Sequence, residues 1–148
     1  VPALAQSRPV CIQAGRATFC FGRYKPSPIG EPIFIMPIIT GGEIIDLCAW
    51  NPRTGELGTR RGFGACLGQE QIEEGFGGTR TPLRGWRSPL QWLKAGRRGI
   101  VVVDDDTARH LLAGLALETN DPDLAKELRQ RLALPPPLII TRAMRSAA

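Results

Sequence analysis

The stretch from Ser88 to Asp106 limits what this chain can fold into more than any other. Ser88 followed by Pro89 marks a helix start, because the serine hydroxyl accepts from a first-turn amide and proline fits the first helical position. Leu90, Trp92 and Leu93 give that helix an apolar side, and Gly96 supplies the left-handed residue just past its end. Arg97 and Arg98 sit where cations suit the negative end of the helix dipole. Ile100 to Val103 is an unbroken β-branched run with no polar alternation, the pattern of a strand covered on both faces. Asp104, Asp105 and Asp106 then leave the strand's C-terminal edge and run into Thr107–Leu112. Strand, acids and helix make a βα junction, the edge at which open α/β sheets bind ligands.

The residues before this stretch read as strands. Pro9–Ala14 and Arg16–Phe21 predict a hairpin around Gly15, and Gly22–Pro32, with three prolines and two glycines, predicts a loop. Ile33–Thr40 is strongly β in composition. Pro37 requires it to be an edge strand, to be bulged, or to stop there. Gly41-Gly42 predicts a turn, Glu43–Trp50 a strand, Asn51–Gly55 a second turn and Gly58–Leu67 a further strand. Gly68–Gly75 has room for one or two helical turns, and Phe76–Trp86 reads as a basic, glycine-rich loop. After the central stretch, Asp106 to about Gly114 has helical periodicity, and Leu115–Glu118 fits either more helix or a short strand. Asp121-Pro122 opens a second helix with the stripe Leu124, Ala125, Leu128 and Leu132. Pro135–Pro137 ends it, and Leu138–Thr141 predicts a last strand. Residues 1–8 and 142–148 read as loose termini. The expected fold is α+β: one domain, antiparallel strands first, then alternating helices and strands in a mixed sheet.

At 148 residues the chain is one domain's length and needs no disulfide or metal staple to build a core. No apolar run approaches the roughly 18 residues of a membrane span, so no membrane partner is expected. The start at Val1, not Met, leads us to expect an upstream segment that has been removed or lost. Cys11, Cys20, Cys48 and Cys66 lack zinc-ligand spacing and lie in apolar or strand-like segments. They read as reduced, core-type thiols, which points to the cytoplasm. The formal charge is +5, carried mostly by arginine. That suits a nucleic acid or an acidic protein as partner, although an Arg-, Ala-, Gly- and Pro-rich composition is also what a GC-rich coding sequence yields.

Two constellations carry candidate chemistry. The first is acidic: Glu43 follows one apolar strand, and Asp104 and Asp106 follow another. Carboxylates converging at strand ends suit magnesium. The pattern resembles the Toprim domain of primases, topoisomerases and some nucleases, in which a glutamate after one strand and an Asp-x-Asp after a later one bind the metal. That resemblance implies a metal-dependent phosphodiester enzyme with Glu43, Asp104 and Asp106 as ligands. It covers two short motifs only, and Thr107-Ala108-Arg109 stands where that family carries a glycine. The alternative is that the acids cap the following helix. Without the Toprim-like activity no cofactor is expected.

The second constellation is basic: Arg80, Arg84, Arg87, Lys94, Arg97 and Arg98, interleaved with Trp86 and Trp92. Arginines can grip phosphates while an exposed indole stacks on a base. Trp92 reads as core, whereas Trp86 in Arg84-Gly85-Trp86-Arg87 suits either role. His110, the only histidine, reads as a surface residue one turn from Asp106. Gly62-Phe63-Gly64 and Gly75–Gly78 lack the lysine of a phosphate loop and read as turns or bulges. More broadly, Ile45–Pro52, Arg61-Gly62, Leu67-Gly68 and Ser88–Gly96 resemble small uncharacterised proteins of proteobacterial prophages and mobile elements. The resemblance spans roughly residues 33 to 134 and implies a setting in which neighbours handle DNA. No motif fixes an activity. The leading expectation is a non-enzymatic accessory protein that binds nucleic acid through Arg80–Arg98. The alternatives are the Toprim-like enzyme and a purely structural or partner-binding subunit. Oligomeric state is not legible.

Overall fold

The structure, a computed structural model, describes residues 12–143. The chain is α+β. Its first part is a closed five-stranded barrel built from β1 (Gln13–Cys20), β2 (Arg23–Pro26), β3 (Glu31–Thr40), β4 (Glu43–Trp50) and β5 (Leu57–Thr59). The order around the barrel is β1-β2-β5-β4-β3, with β3 closing on β1. All neighbours are antiparallel except β2 and β5, which meet in parallel at Arg23 and Thr59.

The second part contains β6 (Cys66–Leu67), α1 (Glu70–Glu73), β7 (Leu83–Arg84), α2 (Pro89–Lys94), β8 (Val101–Val102), α3 (Asp105–Leu111), β9 (Leu117–Glu118) and α4 (Pro122–Arg131). β6 pairs antiparallel with β8, and β7 pairs parallel with β9. A parallel bridge between Gly85 and Ile100 joins the two pairs. The result is a small mixed sheet in the order β6-β8-β7-β9.

The valine run lies at the centre of this sheet, and its lack of polar alternation has a simple cause. Side chains alternate faces along a strand. Ile100 and Val102 belong to a core shared with Ala108, Leu112, Leu124 and Leu128 of the helical layer. Val101 and Val103 belong to a second core with Met36, Ile38 and Cys48 of the barrel strands. Helices cover one face and the barrel covers the other, so no polar residue fits at any of the four positions. At about 1.5–3 kcal/mol for each buried side chain of this size, β8 is the main tie between the two parts. A third cluster, Ala17, Tyr24, Ile33 and Ala49, lies within the barrel.

Pro37 is accommodated inside β3, opposite Leu47. Leu47 turns its carbonyl toward Arg60, not toward β3, so the absent proline N–H faces away from β4. On that other side the described pairing with β1 reaches Gln13 and Ile35. A bulge follows between Ile38 and Ile39.

Several expectations are corrected. Gly15 is an interior position of β1, not a turn; the real hairpin turn is Phe21-Gly22, both at positive φ (49° and 73°). Residues 22–32 are not all loop, since they contain β2 and the start of β3. The β2 pattern is masked by its charged, proline-ended sequence, and barrel closure selects it. Gly58–Leu67 is not one strand: β5 stops at Thr59, and residues 60–65 bend around the carboxylate of Asp46 before β6. The loop expected at Phe76–Trp86 includes β7. Leu138–Thr141 is irregular and exposed, and it pairs with no strand among the described residues. Of the thiols, Cys48 and Cys66 are buried and free as expected, whereas Cys20 is free but exposed at the end of β1. Cys11 and the hairpin's first residues lie outside the described residues. Burial pushes the Cys66 thiol up to about 12 and also raises Cys48. Among the described residues no helix is long and apolar enough to cross a membrane.

Candidate nucleic-acid interface

A cleft of about 630 Å³ separates the barrel from the sheet-and-helix part. It opens at the C-terminal end of β8, the edge expected from the βα junction. One wall is the barrel hairpin Phe21-Gly22-Arg23 with Gly55 and Leu57, and the other carries Trp86, Arg87, Asp104–Thr107 and residues of α3 and α4. The cleft therefore gathers one of the expected cations, Arg87, and one of the expected aromatics, Trp86, with two of the expected acids, Asp104 and Asp106. Glu43, Arg80, Arg84, Lys94, Arg97 and Arg98 do not line it.

The acids of the cleft are already occupied. Asp104 caps α3, accepting from the Thr107 amide at 3.1 Å. Asp105 takes Arg131 at 2.8 Å, and Asp106 takes Arg109 at 3.0 Å, leaving His110 exposed beside it. Glu43 stands at the far end of the β3–β4 hairpin. Among the described residues no three or more His, Cys, Asp or Glu side chains converge, so Glu43, Asp104 and Asp106 do not form a shared three-ligand site. Asp104 serves as a helix cap, and Asp105 and Asp106 make surface ion pairs.

Two of the six expected cations, Arg84 and Arg87, have acidic partners; Arg80, Lys94, Arg97 and Arg98 have none among the described residues. Arg87 bridges the N-cap and the second turn of α4, reaching Glu127 at 2.9 Å and Asp121 at 3.0 Å. The hydrogen bonds it donates to the Glu127 and Asp121 carboxylates raise its pKa. The Leu124 amide and the Arg87 guanidinium hold Asp121 below its usual range. Arg84 lies over the Trp86 ring at 5.1 Å and near Glu118 at 3.9 Å. Trp86 donates its indole N–H to the Arg98 carbonyl at 2.7 Å. Trp92 is core, as expected, and donates to the Gly99 carbonyl at 2.9 Å. Gln71 bonds the carbonyls of Arg97 and Gly99 and the Gly99 amide. These three side chains fix the Arg97–Gly99 turn, and Gly99 itself is obligatory: a Cβ there would drive into the Arg84 carbonyl. Arg80, Lys94 and Arg98 are exposed around this turn, and Arg97 is half-buried.

A different set of cations has no acidic partner among the described residues. Arg23 on β2 pairs with Thr59 on β5, and the Thr59 amide donates to Gly22. Directly after Thr59 come Arg60 and Arg61, both exposed. The Arg23 guanidinium lies against Gly62, where any Cβ would collide with it. This seam is rigid because of Asp46, which is 3% exposed. Its carboxylate accepts the amides of Leu47, Arg61, Phe63 and Gly64 at 2.8, 2.9, 2.9 and 3.1 Å. Burial works to raise its pKa, but those four donors outweigh burial and leave it lowered. Two phenylalanines stand out from the same seam: Phe21, fully exposed at the lip of the cleft, and Phe63, 65% exposed. A phenylalanine held at positive φ with its whole ring in solvent costs conformational energy that packing does not repay.

Sequence reasoning missed this cluster. Its signal was present twice as a glycine-flanked phenylalanine beside arginine, in Phe21-Gly22-Arg23 and in Arg60-Arg61-Gly62-Phe63-Gly64. Only barrel closure brings the two together. No protein-family model, no curated protein and no solved structure matches the chain.

Proposed function

We propose that this chain binds single-stranded nucleic acid without acting on it chemically, as an accessory protein of a phage or mobile element. The observation that supports the reading is the β2–β5 seam. Arg23, Arg60 and Arg61 have no acidic partner among the described residues, and they lie between the exposed rings of Phe21 and Phe63. Arginines spaced along a ridge take phosphates, and flanking aromatic faces take unstacked bases of any sequence. A duplex keeps its bases stacked and offers nothing to those rings. On this reading the Arg80–Arg98 turn is a supporting basic surface, since Arg84 and Arg87 are already engaged. The mobile-element setting rests on the sequence resemblance alone.

Fluorescence anisotropy with matched single-stranded and duplex oligonucleotides, over a salt series, tests this. We expect tighter binding to the single strand and a log–log salt slope of about −0.7 for each phosphate contacted. No binding at low salt, or equal binding to both forms, overturns it.

A further inference from the structure

Leu138-Ile139-Ile140 has the composition of a buried strand, yet these residues are 87%, 83% and 66% exposed. Elsewhere in the same molecule an apolar groove of about 300 Å³ is open. It is walled by Leu117 and Thr119 of the β9 region and by Ala125, Leu128, Leu132 and Ala133 of α4 and its exit. β9 is an edge of the mixed sheet, with β7 on one side only. The Leu83 and Gly85 amides donate to the Ala116 and Glu118 carbonyls, which leaves the intervening Leu117 backbone facing outward. An open edge of this kind recruits another strand.

We infer that Leu138–Thr141 of one copy of this chain docks along β9 and into the groove of a second copy, and that the second copy's run docks reciprocally. The chain's own groove is the wrong target. α4 walls that groove, and the run leaves α4 through Pro135-Pro136-Pro137, an extended spacer of roughly 9 Å at 3.1 Å per residue. Three successive prolines stiffen the chain against the reversal that would fold the run back onto that wall. Arg142 follows the run, and Glu118, whose carboxylate also lies 3.9 Å from Arg84, stands with Arg129 on the edge it would meet. A two-fold exchange counts each docking twice, which moves a three-residue anchor toward the roughly 1,000 Å² of a specific interface.

Light scattering after size-exclusion chromatography, over a concentration series of the 148-residue chain, tests the inference. The expected result is twice the monomer mass, falling to the monomer mass on dilution. Ile139→Asp spoils the docking run, and Ala133→Arg blocks the groove. Both positions are exposed, so each variant should keep the wild-type circular dichroism. Each should weaken self-association by at least about tenfold. An equimolar mixture retains one good run and one good groove and should give a heterodimer. A monomeric wild type overturns the inference, and so do a variant that stays dimeric and a mixture that stays monomeric.

Discussion

The barrel and the sheet-and-helix part hold themselves together by different means. The barrel is built on the long strands β1, β3 and β4, of eight to ten residues, and closes through the shorter β2 and β5. The second part has strands of two residues and relies on side chains that reach backbone: Gln69 to Ala65, Gln71 to Gly99, Trp86 to Arg98 and Trp92 to Gly99. Their charges differ as well. Most salt bridges among the described residues lie in the second part, and on the barrel Arg53 alone pairs, with Glu31. The barrel leaves Arg23, Arg60 and Arg61 without an acidic partner among the described residues, and the second part uses Arg87, Arg109 and Arg131 as structural ties. A count of arginines along the sequence does not separate these two uses.

Asp46 is where the comparison breaks most easily, because the barrel here borrows the other part's device. Asp46→Ala strands four buried or half-buried amide donors and should cost about 3 kcal/mol or more, read as a lower urea midpoint. Its lowered pKa gives the sign of the pH effect. The stabilisation is complete above the ordinary carboxylate range and is lost as pH falls through that range to the lower folded value. Asp46→Asn should therefore be destabilised at neutral pH and show a flatter acid limb than the wild type.

The next largest effects concern binding. Phe21→Ala and Phe63→Ala should each weaken single-strand affinity by about 1–3 kcal/mol while leaving the thermal midpoint in place, since neither ring is buried. Unchanged affinity in both would move the site away from the seam. In the second part, Trp86→Phe removes the hydrogen bond to Arg98 and should cost about 1 kcal/mol of stability, with no effect on affinity if Trp86 acts as a tie. A loss of affinity there would return the site to the Arg84–Arg98 region. The smallest effect sharpens the contrast between free and paired arginines. Arg60→Ala should reduce the magnitude of the salt slope by nearly one contact, and Arg87→Ala should leave it alone.

The elements whose reasons are local were legible in the sequence. Ser88-Pro89 and Asp121-Pro122 start helices as expected, and the side chains of Ser88 and Asp121 accept the first-turn amides. Glu43–Trp50 is a strand with the expected bounds, and Ile100–Val103 is buried on both faces. The failures share a different physics. β2 exists because barrel closure supplies neighbours on both sides, and residues 60–65 are a loop because a distant aspartate takes their amides. Leu138–Thr141 lacks a partner strand among the described residues. The location of the cleft was legible, since it follows from the exit of β8. The free cations were not, because ion pairing depends on residues as far apart as Arg87 and Glu127.

The two buried thiols give each part its own clock. Cys48 belongs to a barrel strand and Cys66 to the mixed sheet, and neither sulfur meets solvent or ionises readily while its surroundings are closed. A thiol reagent reaches each one only when that region opens. The order in which the two sulfurs take the label, with exposed Cys20 marking time zero, tells which half of the molecule lets go first.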